Sequence, residues 1–453
     1  MSATPETLAD PGQAPAAGAA SEPASAPATG RGARLVPWLV LGGAALTLAV
    51  GLGAKLADIH WGAPAQPFTL RWAPDLSAWA LPGLAALLGC LLLAGPLLRA
   101  RPRPLAFAAA AFALTLVSRL GLNVIRGGPD ALSAVFDPNG GEGRTEYLPG
   151  LAYLRDGVGS FLDRFDQVVA VAPTHVAGHP PGLVLAIHAL GIDTAAGLTA
   201  LTIGVGALTT PALYALARQL ADETTARAAA LLFVFVPTSL LYGATSADAL
   251  FATLAIAAAA LLVARRPLLR GLGAALLALA SFFSYALLAV GAWAALVLWR
   301  RRGIVAALRL CLLCAAALAA LYLGLYLATG FDVLAAIGAT DARYREGIAS
   351  ARPYLFYFFG SPAAFLLLLG PVAWFAARSL ARREAAALAL AAVIAISVIG
   401  GYTKAETERI WLFLVPLACL AAARALPARR LSPVLVALTV QAVAIQTLLF
   451  TKW

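Results

Sequence analysis

Charge is what this chain has least of. Of its 453 residues, 12% are Asp, Glu, Lys or Arg, while 61% are hydrophobic. An ordinary soluble domain carries about 25% charged residues, so that class is excluded. Cysteine is sparse too. The four, Cys90, Cys311, Cys314 and Cys419, all lie inside apolar runs. Cys311 and Cys314 have C-x-x-C spacing, but no strand–helix context surrounds them. They read as small buried residues rather than a redox pair or a disulfide. No Gly-x-x-x-x-Gly-Lys loop can cradle nucleotide phosphates, no Gly-x-Gly-x-x-Gly follows a strand, and no Gly-x-Ser-x-Gly elbow presents a nucleophile. No soluble domain remains that could hold a nucleotide sugar. No internal repeat is visible, which weighs against an inverted-repeat transporter. The net charge of +11 suggests nucleic acid at first sight. The basic residues instead stand in short clusters between apolar runs, a pattern of membrane topology, so no nucleic-acid partner is expected.

What is present is a series of long apolar runs rich in Leu and Ala, both good helix formers. They are too long and continuous for the alternating strands of a membrane barrel. The expected fold is an all-α polytopic membrane protein. Residues 1–34 are mostly Ala, Pro, Ser and Gly and should form a disordered cytoplasmic tail. The first apolar run, 35–54, begins too late for a signal peptide. With the runs at 80–98, 104–122, 195–217, 227–245, 248–264, 268–284, 286–299, 304–328, 354–376, 384–401, 409–424 and 431–450, it makes a single domain, 35–453, of about thirteen crossings. Segment 183–191 is too short to cross.

Arginines orient the chain. Arg99, Arg101 and Arg103 cluster, as do Arg265, Arg266 and Arg270, Arg300 to Arg302, Arg378, Arg382 and Arg383, and Arg424, Arg429 and Arg430. The positive-inside rule puts these turns and the N-terminus in the cytoplasm of a bacterial plasma membrane. The acidic loop 123–182 then faces out, with 329–353 and 402–408. Charges gather at helix ends and in loops, so none is expected in mid-membrane.

The acidic loop holds Asp130, Asp137, Glu142, Glu146, Asp156, Asp163 and Asp166. Any of them could take a proton from a hydroxyl, although most must be ordinary solvated carboxylates. Asp163 and Asp166 alternate with Arg164 and look solvated. Two histidines follow, His175 and His179. Their i, i+4 spacing would suit zinc on a helix, but Pro180 disfavours helix at His179, so hydrogen bonding to a phosphate or a carboxylate is the better reading. In the segment Lys404-Ala-Glu-Thr-Glu-Arg409, Lys404 and Arg409 could grip a phosphate while Glu406 and Glu408 set their geometry; the same charges could instead be interfacial anchors. Arg343, Arg345 and Arg352 could act like them. Asp248 opens an apolar run after Thr245-Ser246, and the helix dipole alone accounts for it unless it faces a cavity.

The order of these features resembles the GT-C glycosyltransferases, membrane enzymes that use polyprenyl-phosphate sugars. The resemblance covers roughly residues 105–300. It rests on the acidic loop, His179-Pro180-Pro181-Gly182, a short helix, a crossing bearing Arg218, a crossing ending near Pro237 with Ser246-x-Asp248 after it, and an arginine-rich turn. Within the group the chain is most similar to the protein mannosyltransferase and aminoarabinose transferase branch. The Glu408-Arg409-Ile410-Trp411 segment looks similar to tails of actinobacterial membrane proteins of this type. The resemblance implies inverting sugar transfer at the extracytoplasmic face, with a lipid, glycan or protein acceptor in the bilayer or beside it. It implies that Glu146, next to Tyr147, is the general base, with Asp137 and Glu142 as rivals. It places His179 near the lipid phosphate; from the reading of the residues themselves, His175, Lys404, Arg409, Asp248 and Tyr147 join it as candidate binding residues. It requires no cofactor and leaves a divalent metal open. Two extra crossings precede the large loop, no tight acidic pair marks the base, and large soluble C-terminal domains are missing. The alternative from another class is a transporter or flippase for a lipid-linked or polar solute, which would favour charges in mid-membrane and paired broken helices.

Overall fold

The computed structural model describes residues 31–451. Helix makes up 77% of it and strand is almost absent, as an all-α chain requires. The expected disordered tail lies outside the described residues except at 31–34, which already belong to the helix Arg31–Leu56.

Among the described residues, six helices are long and apolar enough to cross a membrane: Arg34–Leu56, Ala80–Ala100, Pro104–Gly127, Ala195–Leu220, Ile304–Thr329 and Ala428–Leu448. A bent pair, Tyr354–Leu369 with Pro371–Ala381, would make a seventh. By length and composition the chain is a helical multi-pass membrane protein. The expected count of about thirteen is not confirmed, because several of the remaining apolar helices, such as Asp248–Leu262, Pro267–Ser281 and Ala385–Gly400, are short.

Two expected crossings are broken, each for a local reason. The run 227–245 is divided into Glu223–Phe235 and Pro237–Tyr242. Pro237 offers no N–H and keeps Val236 extended, at φ −64° and ψ 134°. The run 354–376 turns through 113° at Gly370. Gly370 adopts φ +53°, a Cβ there would stand 2.1 Å from Gln441 Oε1, and Pro371 starts the next helix.

Glu223–Phe235, Asp248–Leu262 and Val415–Ala425 form the centre of the bundle, with most of their side chains buried. The helix Pro104–Gly127 continues past the expected loop start at 123, so the acidic loop begins at 128. It folds into short helices, including Leu148–Leu154, Phe165–Val171 and Thr174–Ala177, over a core of Phe136, Tyr147, Phe161 and Phe165. After it, Gly182–Ala189 buries Leu183, Val184 and Ile187, and Gly182 N–H donates to Phe282 O at 2.9 Å. On the same face the 57–79 segment is tied to the end of the chain. Arg71–Trp72 pairs antiparallel with Leu449–Phe450, and Arg126 donates to Leu449 O at 3.1 Å and to Ala73 O.

Candidate functional site

Under the acidic loop, three sequence-distant segments bring buried charge together. Glu146 comes from the loop, between the turns Gly143–Thr145 and Leu148–Leu154. Only 2% of it is exposed, because the apolar stretch from Tyr147 to Leu154 packs down and carries it inward. His175, from the one-turn helix Thr174–Ala177, sets Nε2 3.4 Å from Glu146 Oε1. The Tyr147 ring lies 5.9 Å from the His175 ring and 6.1 Å from that of His179.

The second segment is the turn before Asp248–Leu262. Ser246 Oγ donates to Asp248 Oδ2 at 2.6 Å and accepts from Asp248 N–H at 3.2 Å, which fixes the carboxylate. The third is the strained turn at Ala405 and Glu406, both at positive φ, which introduces the helix Thr407–Ile410. Arg409 reaches from there to Asp248 Oδ2 at 2.6 Å and to Ser246 Oγ at 3.3 Å. Its other arm meets Glu406 Oε2 at 3.2 Å. Arg352 holds the second Glu406 oxygen at 2.8 Å and also donates to the carbonyls of Lys404 and Gly62. Glu406 is thus one anion shared by two guanidiniums. Burial alone would raise its pKa, but Arg409 and then Arg352 override that and hold it at about 2. His175 pulls it the same way, and Glu146 stabilises the Arg409 cation. The fields of Glu146 and His175 therefore reach the Arg409 cluster.

Glu408, two residues from Glu406, is its electrostatic opposite. Among the described residues it forms no salt bridge. Burial pushes its carboxyl up to about 7, and neighbouring Glu406 pushes the same way, against hydrogen bonds from its own backbone and Thr69. Oε1 accepts from Thr69 N–H at 3.2 Å and from Thr69 Oγ1 at 3.3 Å, while Oε2 has no partner among the described residues. The 57–79 segment therefore docks directly on this cluster.

The structure brings together Glu146, Tyr147, His175, His179, Asp248 and Arg409. It gives Lys404 a different setting: Nζ donates to Ala349 O at 3.2 Å and its backbone N–H to the Tyr344 hydroxyl at 2.8 Å. Arg352, not Lys404, shares Glu406 with Arg409. Asp137 and Glu142 lie partly exposed on the preceding turns, and the Asp137 carboxylate caps Asn139 at 3.0 Å. Asp163 is exposed and Asp166 partly so. Among the described residues no group of three or more His, Cys, Asp or Glu side chains is arranged to hold a metal ion.

One polar residue escaped sequence reasoning. Arg119 lies inside the crossing helix Pro104–Gly127 and is fully buried, which corrects the expectation that charges keep to helix ends. NH1 donates to Gly243 O at 3.2 Å and NH2 to Ser239 Oγ at 2.9 Å. Nε has no partner among the described residues. The guanidinium thereby fixes the turn that leads into Ser246 and Asp248. Gly243 must be glycine here, since a Cβ would stand 2.2 Å from Arg119 Nε.

An apolar cavity of about 230 Å³ opens nearby, among helices Arg31–Leu56, Tyr354–Leu369, Pro371–Ala381, Ala385–Gly400 and Val415–Ala425. One lining residue, Pro362, follows Ser361, whose carbonyl accepts from Thr407 Oγ1 at 2.6 Å. None of the charged residues of the cluster lines the cavity.

No known protein family matches the chain, and no curated protein matches it either.

Proposed function

We propose that this protein is a membrane glycosyltransferase of the GT-C kind. It would move a sugar from a polyprenyl-phosphate donor to an acceptor on the extracytoplasmic face, with inversion. The observation that carries this reading is the meeting of Glu146, His175, Asp248 and Arg409 in one buried cluster, in a bundle that also holds an apolar cavity. Buried charge and apolar space in one bundle suit a ligand with a polar head and a hydrocarbon tail. Two arginines that already share one anion suit a phosphate, the natural bidentate partner of guanidinium. In this reading the donor phosphate sits at Arg409 and Arg352, and the shorter apolar helices complete about thirteen crossings.

Glu146 takes the proton of the acceptor hydroxyl as that oxygen attacks the anomeric carbon. The sugar–phosphate bond breaks and the phosphate leaves with the electron pair, needing little acid help. His175 holds the Glu146 carboxylate in place. Incubating the purified protein with labelled polyprenyl-phosphate mannose or arabinose and a membrane extract tests the reading. Label should appear in a lipid, glycan or protein. Its absence with every donor, from protein that is folded, would refute transfer.

Transport is the second reading, favoured by buried Arg119 and by the break at Gly370. A buried intramembrane charge and a broken helix are both marks of a translocation path. Flux of a fluorescent lipid-linked sugar across reconstituted vesicles, without any change in its chemistry, would favour it.

A further inference from the structure

We infer that His179 reads a hydroxyl of the transferred sugar and does not hold the donor phosphate. The inference rests on the glycosyltransferase reading and departs from the phosphate role that the resemblance implies for this histidine. The His179 ring has two aromatic neighbours, Phe251 at 5.2 Å with 43° between planes and Tyr147 at 6.1 Å with 44°. Its Nδ1 is buried and has no hydrogen-bond partner among the described residues. A buried polar atom left unspent is costly, so a partner supplied by a ligand is its natural explanation.

The choice of ligand group follows from charge. Asp248 and Arg409, whose fields act on the ring, are already joined to each other at 2.6 Å, so that cation is compensated. Burial holds the His179 pKa down at about 4, with Asp248 pulling it up and Arg409 pushing it down. The imidazole is therefore neutral near pH 7. A neutral imidazole offers one N–H donor and one lone pair, which match a hydroxyl. A phosphate is held best by full cations, and Arg409 and Arg352 already provide them.

Binding measurements on the full-length protein in lipid nanodiscs test this. The probes are polyprenyl phosphate without a sugar and the same lipid bearing mannose or arabinose. In the wild type the preferred sugar-bearing lipid should bind more tightly than the bare one. His179→Ala should weaken that lipid about 10-fold, the worth of one hydrogen bond to a neutral group. It should leave the bare lipid phosphate unchanged within about twofold. His179→Gln, which keeps a neutral donor and acceptor, should restore part of the loss, and His179→Lys should not. Equal losses for both lipids, restored by Lys, would overturn the inference in favour of a phosphate contact. So would unchanged binding of both lipids by His179→Ala with a wild-type melting temperature, or a wild type that binds both equally. A wild type that binds neither lipid would refute the glycosyltransferase reading itself and this inference with it.

Discussion

Arg409 and Arg119 are both buried guanidiniums, but in different company. Arg409 touches Asp248 and Glu406 and lies in the field of Glu146. Arg119 touches a carbonyl and a hydroxyl, with the Phe233 ring 5.7 Å away. The first is one member of a balanced ionic cluster at the edge of the bundle. The second is a lone cation inside a crossing helix that holds a turn by its donors. Charge with counter-charge is a place where a ligand ion can exchange with a protein ion. Charge spent on backbone and hydroxyl builds the scaffold that holds Ser246 and Asp248. The comparison assigns chemistry to Arg409's surroundings and positioning to Arg119.

Breaking the ionic cluster should have the largest effect on stability. Arg409→Ala leaves buried Asp248 without its cation and Glu406 with Arg352 alone, and should cost about 3–5 kcal/mol. Combining it with Asp248→Asn should recover much of that loss, read as melting temperature in detergent, while Glu406 stays paired with Arg352. A double variant no more stable than Arg409→Ala would show that Asp248 does not depend on the arginine.

The two glutamates sharpen the same comparison through pH. Glu408 has a folded pKa of about 7, above its ordinary value of 4.5. Its protonated form favours folding, so stability is full below pH 4.5 and declines until about pH 7. The slope is about 1.4 kcal/mol per pH unit, some 3 kcal/mol in all. Glu406, at about 2, works the opposite way: its contribution is complete above pH 4.5 and is lost as pH falls toward 2. Glu408→Gln should flatten the decline between pH 4.5 and 7, while Glu406→Gln should flatten the acid side. Denaturation profiles of the two variants that change on the same side would contradict their opposite surroundings.

Arg119→Met should cost less than Arg409→Ala, about 1–3 kcal/mol, because it strands a carbonyl and a hydroxyl rather than a buried carboxylate. It should lower turnover through misplaced Asp248, and Arg119→Lys should recover part of both. An Arg119→Met variant of wild-type stability but with no transfer would move Arg119 from the scaffold to the site. Thr69→Val should have the smallest effect, about 1 kcal/mol, by removing one hydroxyl bond to Glu408 while leaving the backbone bond. A larger loss would mean that this hydroxyl carries most of the docking of the 57–79 segment.

Much of the cluster was legible in the sequence because polar residues at the margins of apolar runs stand out. Glu146, His175, Asp248 and Arg409 were visible that way. Their partners were not, since neither the Asp248–Arg409 pair nor the Thr69–Glu408 contact leaves a trace in local spacing. Arg352 and Lys404 looked alike as basic residues of neighbouring loops, and only the three-dimensional path of the 402–406 turn separates them. Arg119 was missed because the expected helix ended at 122, placing the arginine near an edge; the real helix runs on to Gly127 and draws it inside. The helical class followed from composition. The break near Pro237 was half legible, since a crossing was expected both to run over 227–245 and to end near Pro237; the bend at Gly370 was not, because hydropathy alone cannot distinguish one crossing from a bent pair.

The most direct measurement is sugar transfer by Glu146→Gln, compared with wild type at saturating polyprenyl-phosphate sugar and in a donor-binding assay. Glutamine keeps the shape of the side chain and removes the base. Turnover should fall about 100- to 10,000-fold while donor affinity stays within about twofold. Wild-type turnover in this variant, with Asp137→Asn or Glu142→Gln inactive instead, would contradict the assignment of the chemistry to the buried cluster.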